Sequence, residues 1–260
     1  RMREYLDEWP DDEAEVYHAA GKRLSAEGKG LGVADEGGFW PQFGSNEGAI
    51  EALVQAIEAA GLRPGRDVSI ALDLASTQYF ADGIYHWRSE NRRFDRDQLL
   101  QLYTRWVQDY PIVSMEDGFA ENDIEGMQAM TAALGHRLQI IGDDFFVTNA
   151  PRIAERTAQG ACNAVLIKPN QVGTVSETRQ ALEAARARGL GSIVSARSGE
   201  TEDVSIVHLA VGWGVAQLKV GSFARSERMA KWNEGLRVEE DLARALPYPH
   251  PQIYPWLQRA

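Results

Sequence analysis

The chain has 260 residues, of which 44% are hydrophobic and 25% charged, and a formal net charge of −11. That length fits one large domain spanning residues 1–260, with enough chain to bury a sizeable core. The acidic balance argues against nucleic-acid and anionic-membrane partners, and no apolar run approaches the ~20 residues of a membrane span. One cysteine, Cys162, excludes an internal disulfide framework. No signal-peptide pattern opens the chain, so the expected location is cytoplasmic. Cys162 directly precedes an apolar run and reads as a small core residue rather than a nucleophile.

In chain order, the acidic start with Pro10 predicts a helix from about Asp12 through Val16, Tyr17, Ala20 and Leu24. The glycine-rich GLGVADEGG is a short candidate strand. Ile50, Leu53, Val54 and Ile57 follow i, i+3, i+4, i+7 spacing and predict a helix between Ser45 and Gly61. The same spacing recurs at Leu99, Leu102, Tyr103, Trp106, Val107 and Tyr110. Further helices are expected over 151–159 with Asn149 as cap, over 176–188, over 202–211 and from Arg225 to Leu246. The proline-rich PYPHPQIYPWLQRA reads as a surface segment wrapping the fold. Apolar runs alternate with these helices, the pattern of βα units on a parallel sheet.

Six of those runs end on ionisable residues. VSIALD ends at Asp73, IVSMED at Glu116 and Asp117, LQIIGDD at Asp143 and Asp144, AVLIKP at Lys168, SIVSAR at Arg197 and VAQLKV at Lys219. Charge is disfavoured inside strands and costly to bury unpaired, so its repetition at one end of successive strands points to a shared polar site. In a parallel barrel that end carries the chemistry. Asp73, Glu116 and Asp143 supply the oxygen donors that a hard cation such as Mg²⁺ prefers, although any one of them could instead cap the following turn. Asp143 is the preferred ligand of its pair, with Asp144 beside it. Lys168, flanked by apolar residues, suits a general base. Arg197 with Ser198, and Lys219, suit a phosphate or carboxylate, or else they neutralise the acids. The five histidines show no ligand spacing. A closed barrel needs eight strands and six are convincing, so an upstream segment is expected.

Taken together, ADEGG, ALDLAS, SMEDGF, GDDFFVTN, LIKPNQVGT, SARSGETED and LKVGSFARSER closely resemble the ordered motifs of enolase. The resemblance runs from about Val16 to about Glu240. It implies an α/β, enolase-type TIM barrel, incomplete in this chain with six of eight strands and with GLGVADEGG as a mobile loop. It also implies Mg²⁺-dependent dehydration of 2-phosphoglycerate to phosphoenolpyruvate. Asp73, Glu116 and Asp143 match the Mg²⁺ ligands, Lys168 the base, Glu36 the acid that assists departure of hydroxide, and Arg197, Ser198 and Lys219 the substrate-binding positions. The implied partners are a small phosphorylated acid and a second copy in a full-length homodimer, or a complementing amino-terminal segment. Two departures stand out. Ala196 occupies the place of a histidine in the family's SHRSGETED motif, and the family's amino-terminal domain and first two strands are absent. A paralogue acting on a related phosphonate or phosphorylated acid, and a catalytically silent fragment or subunit, are the alternatives, with the retained acids and lysines arguing against silence.

Overall fold

A computed structural model describes residues 9–242. These residues divide into two compact units, one of residues 9–69, 196–214 and 218–242, the other of residues 70–195 and 215–217. The expected proline-rich wrap lies outside the described residues.

The second unit carries five strands of the sheet and Gln217 of the sixth. Strands β1 (Ile70–Asp73), β5 (Ile112–Glu116), β6 (Gln139–Gly142), β7 (Ala164–Ile167) and β8 (Gly191–Ser195) pair in parallel, and β9 (Gln217–Lys219) completes a six-stranded order β1-β5-β6-β7-β8-β9. These are the six strands expected from sequence. Gln139 and Gln217 exchange reciprocal side-chain hydrogen bonds of 2.8 and 3.0 Å although two strands lie between theirs. Three strand spacings of ~4.8 Å would hold them ~14 Å apart in a flat sheet, so this sheet curls. Its β6 and β7 are buried along their whole length, as parallel strands covered on both faces must be. Ile141, Ala164, Leu166 and Ile193 cluster in that core.

Helices follow the strands of this unit. The apolar stripe expected from Leu99 to Val107 is the buried face of α3 (Arg96–Asp109), started by a capping box of Asp95 and Gln98. Then come α4 (Ile124–Leu134), α5 (Ala150–Ala158, capped by Asn149 as expected), the short α6 (Pro169–Val172) and α7 (Val175–Arg186). Between β1 and α3 the chain forms a small antiparallel sheet of β2 (Phe80–Ala81), β3 (Ile84–Trp87) and β4 (Arg92–Phe94), which the periodicity does not reveal. Its turn is Asp82-Gly83, both at positive φ, the pairing that a tight hairpin requires. Trp87 stacks on Trp106 at 5.7 Å and so fastens the hairpin to α3.

The first unit holds α1 (Trp9–Ala26), α2 (Asn46–Ala59, capped by Ser45), α8 (Ser205–Trp213) and α9 (Ser226–Asp241). Helix α1 includes Pro10 and Asp11, ahead of the start expected near Asp12. The candidate strand GLGVADEGG is instead a loop closed by an isolated bridge between Val33 and Phe39. Among the described residues no helix is long and apolar enough to cross a membrane.

Asp123 joins three parts of the second unit. Its buried carboxylate caps α4 through Gly126 N (3.0 Å), accepts from the Tyr85 hydroxyl (2.8 Å) and pairs with Arg96 (2.8 Å). Asp123→Ala removes the cap and leaves the Tyr85 O–H without its acceptor, so it should cost about 2–4 kcal/mol. Urea unfolding measures the loss, and a loss under about 1 kcal/mol would contradict this role.

Candidate functional site

In the second unit the strand register sets the acids side by side. Asp73 at the end of β1 is the register partner of Glu116 in β5, and Glu116 pairs with Ile141 of β6, so Asp143 follows two residues further on. The ladders continue past the strands: Leu74 N donates to Glu116 O at 3.0 Å and Asp117 N to Ile141 O at 3.0 Å. Asp73 is exposed and Glu116 buried.

Asp117 then turns back. It adopts φ +44°, unfavourable for a residue with a side chain. In this conformation its carboxylate accepts the backbone N–H of Asp143 at 3.0 Å and of Asp144 at 2.8 Å. Burial pushes the Asp117 carboxyl up to about 7, against the pull of those two N–H groups and with the neighbouring charges of Asp143 and Asp144 adding to the rise. Burial and the Asp143 charge also raise Asp144, with Lys168 opposing them.

Lys168 is only 8% exposed, and its Nζ lies directly on Asp143 Oδ2. The residues around it fix its backbone. Lys168 N donates to the Thr148 hydroxyl at 3.1 Å, that hydroxyl donates to Gln171 Oε1 at 2.7 Å, and Gln171 Nε2 reaches Asp143 Oδ1 at 3.5 Å. Val147 and Thr148 both hold positive φ, +48° and +52°. For β-branched residues that conformation is strained, and the bonds to Lys168 and Gln171 secure it. The structure therefore joins Lys168 to Asp143, as two of the expected site residues. Asp117, Thr148 and Gln171 are the additions. Asp117 is visible in sequence as a strand-end acid, whereas Thr148 and Gln171 fall inside the GDDFFVTN and LIKPNQVGT motifs with no role assigned to them.

Asp117, Asp143 and Asp144 each offer a carboxylate oxygen within 4.8 Å of the others. Such donors fit a hard divalent cation. Both Asp117 oxygens already accept backbone N–H groups, which favours Asp143 and Asp144 as the outward donors of this cluster. Asp143 belongs both to this cluster and to the expected trio with Asp73 and Glu116.

The remaining expected residues lie in the first unit. Glu36 is exposed in the 33–39 loop, and its carbonyl accepts Ser222 N at 2.7 Å. Arg197 and the exposed Ser198 follow β8, Glu200 Oε1 accepts Arg197 N at 3.0 Å, and Ala196 N donates to Lys219 O at 2.8 Å. Within this unit Arg228 of α9 donates to carbonyls of Asp35, Arg197 and Ser198, which brings the Glu36 and Arg197 loops together. Cys162 is buried as expected, and burial pushes its thiol well up, unlike a nucleophile.

Parallel strands with helical crossovers, ending in carboxylates and a buried lysine, define an α/β barrel-type protein with a polar site at the carboxyl ends of its strands. Residues 7–253 match the family described as enolase, C-terminal TIM barrel domain, and the chain belongs to that family. It is similar to "Enolase 2" of Pseudomonas syringae pv. syringae (strain B728a), with 48% identity over 229 residues, 88% of this chain and 54% of that protein. The same figures hold for "Enolase 2" of Pseudomonas syringae pv. tomato (strain ATCC BAA-871 / DC3000). The chain thus spans about half the length of these curated relatives.

A carboxyl that titrates near 7 in the fold and near ~3.9 in the unfolded chain favours the fold fully below about pH 4, and that contribution is lost as pH rises through 7. In metal-free protein, Asp117→Asn should therefore gain on wild type by a few kcal/mol as pH rises from about 4 to about 8. Denaturant midpoints across that range, in chelator, measure it. A difference independent of pH would contradict the burial of Asp117.

Proposed function

We propose that this chain carries the catalytic half of an enolase-type lyase, which dehydrates 2-phosphoglycerate to phosphoenolpyruvate with Mg²⁺ as cofactor. The observation that carries the reading is the buried contact between Lys168 and Asp143. It puts a lysine amine beside a carboxylate suited to a hard cation, on the strand ends of a chain belonging to this family.

Asp143 with Asp73 and Glu116 would hold Mg²⁺, and Asp144 lies close enough to support it. When bound, that ion supplies positive charge for the electron density that grows on the substrate carboxylate as its α-proton leaves. Lys168 Nζ takes the C2 proton on its lone pair. Glu36 gives a proton to the departing C3 hydroxyl, so the C3–O bond breaks, the C2–C3 double bond forms and water leaves. Arg197 and Ser198 hold phosphate oxygens, the guanidinium as a planar fork and the hydroxyl as a single donor, while Lys219 adds a point charge. Ala196 is buried and contributes a methyl where the family motif carries imidazole.

Supplying the upstream segment, by fusion or as a separate chain, should give Mg²⁺-dependent formation of an enol product that absorbs in the ultraviolet. Lys168→Ala should lower kcat by about 10²–10⁴-fold, the usual range for losing a positioned proton acceptor. A reconstituted wild type that does not turn over 2-phosphoglycerate, or that turns over only phosphonate analogues, would overturn the proposal.

A further inference from the structure

Helix α9 carries two cations that surface chemistry does not explain. Arg228 is 1% exposed and Lys231 is fully buried. Arg228 Nη1 donates to Arg197 O at 2.9 Å and Val220 O at 3.3 Å, and Nη2 donates to Ser198 O at 2.7 Å and Asp35 O at 3.0 Å. All four acceptors are backbone carbonyls, and Nε meets no acceptor among the described residues. Lys231 pairs with Glu200 at 3.0 Å and donates to Thr201 O, while Glu200 holds Arg197 N. The 197–201 loop is therefore gripped on both of its flanks from one helix.

Those carbonyls are not arbitrary. Arg197 and Ser198 are themselves proposed substrate contacts, Asp35 precedes Glu36, and Val220 follows Lys219. Two glycines keep the junction close. A β-carbon on Gly221 would lie 2.6 Å from Arg228 Cδ and 2.7 Å from Glu36 O, and one on Gly37, at φ +82°, would lie 2.3 Å from Ala224 O. Larger residues at either place would push the Glu36 loop away from the 221–228 segment.

We infer that Arg228 is a positioning residue, a buried guanidinium that fixes the Glu36 loop, the Arg197–Ser198 loop and the strand end bearing Lys219 relative to one another. A guanidinium is planar, permanently charged and presents its donors as a rigid fork, so it constrains the directions of its acceptors as well as their distances. Lysine at this place would keep the charge and lose the plane. The assignment rests on the roles proposed for Glu36, Arg197, Ser198 and Lys219, but the clamp itself is readable without catalysis.

The test uses the full chain as wild type, Arg228→Lys and Arg228→Met, with amide hydrogen exchange read at Ser222 and Arg197, and kinetics measured with the upstream segment supplied. Both variants should speed exchange at those two amides while leaving the Asp143 and Asp144 amides as in wild type. Loss of one or more charge-assisted bonds should raise KM for 2-phosphoglycerate by about tenfold or more, with Mg²⁺ affinity unchanged. A merely structural role would lower thermal stability and leave KM and loop exchange of the folded fraction alone, and that result overturns the inference. If Arg228→Met does not fold, Arg228→Lys decides. In wild type the Arg228 guanidinium protons should exchange slowly by NMR, and exchange as fast as in exposed arginines would overturn the clamp with no variant needed. A wild type that shows slow guanidinium exchange yet no turnover would sink the lyase reading alone.

Discussion

Carboxylates crowded at the ends of adjacent parallel strands repel one another, and the second unit of this chain is arranged around that repulsion. Two like charges ~4 Å apart at an effective dielectric of ~20 repel by ~4 kcal/mol, a large share of the 5–15 kcal/mol that typically holds a domain together. Asp117, Asp143 and Asp144 lie this close. The chain compensates by laying Lys168 on Asp143 and by giving Asp117 two backbone N–H donors, while burial shifts Asp117 toward its neutral form. The same contact underlies the proposed chemistry, because it places the lysine beside an oxygen donor that a divalent cation would occupy.

Holding this arrangement needs backbone that the residues would not adopt unaided. Asp117, Val147 and Thr148 all lie in the left-handed region, each at a cost of ~1–3 kcal/mol. Strain of that size persists only where the surroundings over-determine it. The surroundings here are fully buried strands and a set of side-chain hydrogen bonds, to backbone and to other side chains, that runs from Asp117 through Asp143 to Gln171 and Thr148. The first unit uses a different device for its loops: a buried guanidinium and a buried ammonium on α9, aimed at carbonyls and at Glu200. In each unit, buried polar contacts hold the loops that carry Asp117 and Asp143, or Glu36 and Arg197.

Much of this is legible in the sequence because it is local or periodic. The stripe of Leu99, Leu102, Tyr103, Trp106 and Val107 is the buried face of α3, Ser45 and Asn149 are caps, and the six strands with their charged ends follow from apolar runs. The ordered motifs identify the family, which the comparison with known enolases shows. The hairpin at 80–94 is hidden because its strands are two to four residues long, too short for a period to appear, and only Asp82-Gly83 announces it. Thr148 and Gln171 lie inside quoted motifs, but their contacts are hidden for another reason. The bond between them depends on left-handed backbone at Val147 and Thr148, which runs against local propensity and is decided by tertiary contacts. Arg228 reads in sequence as one more charge on a polar helix, and only its burial against carbonyls from three segments sets it apart.

The central claim is that Asp143 is where the lysine and a divalent cation meet. Calorimetric titration of Mg²⁺ into the wild-type chain and into Asp143→Asn tests it directly. The account predicts a saturable Mg²⁺ site in wild type that weakens by about tenfold or more in the variant, as expected when a charged oxygen ligand becomes a neutral amide. Equal Mg²⁺ affinity in the two proteins would contradict it.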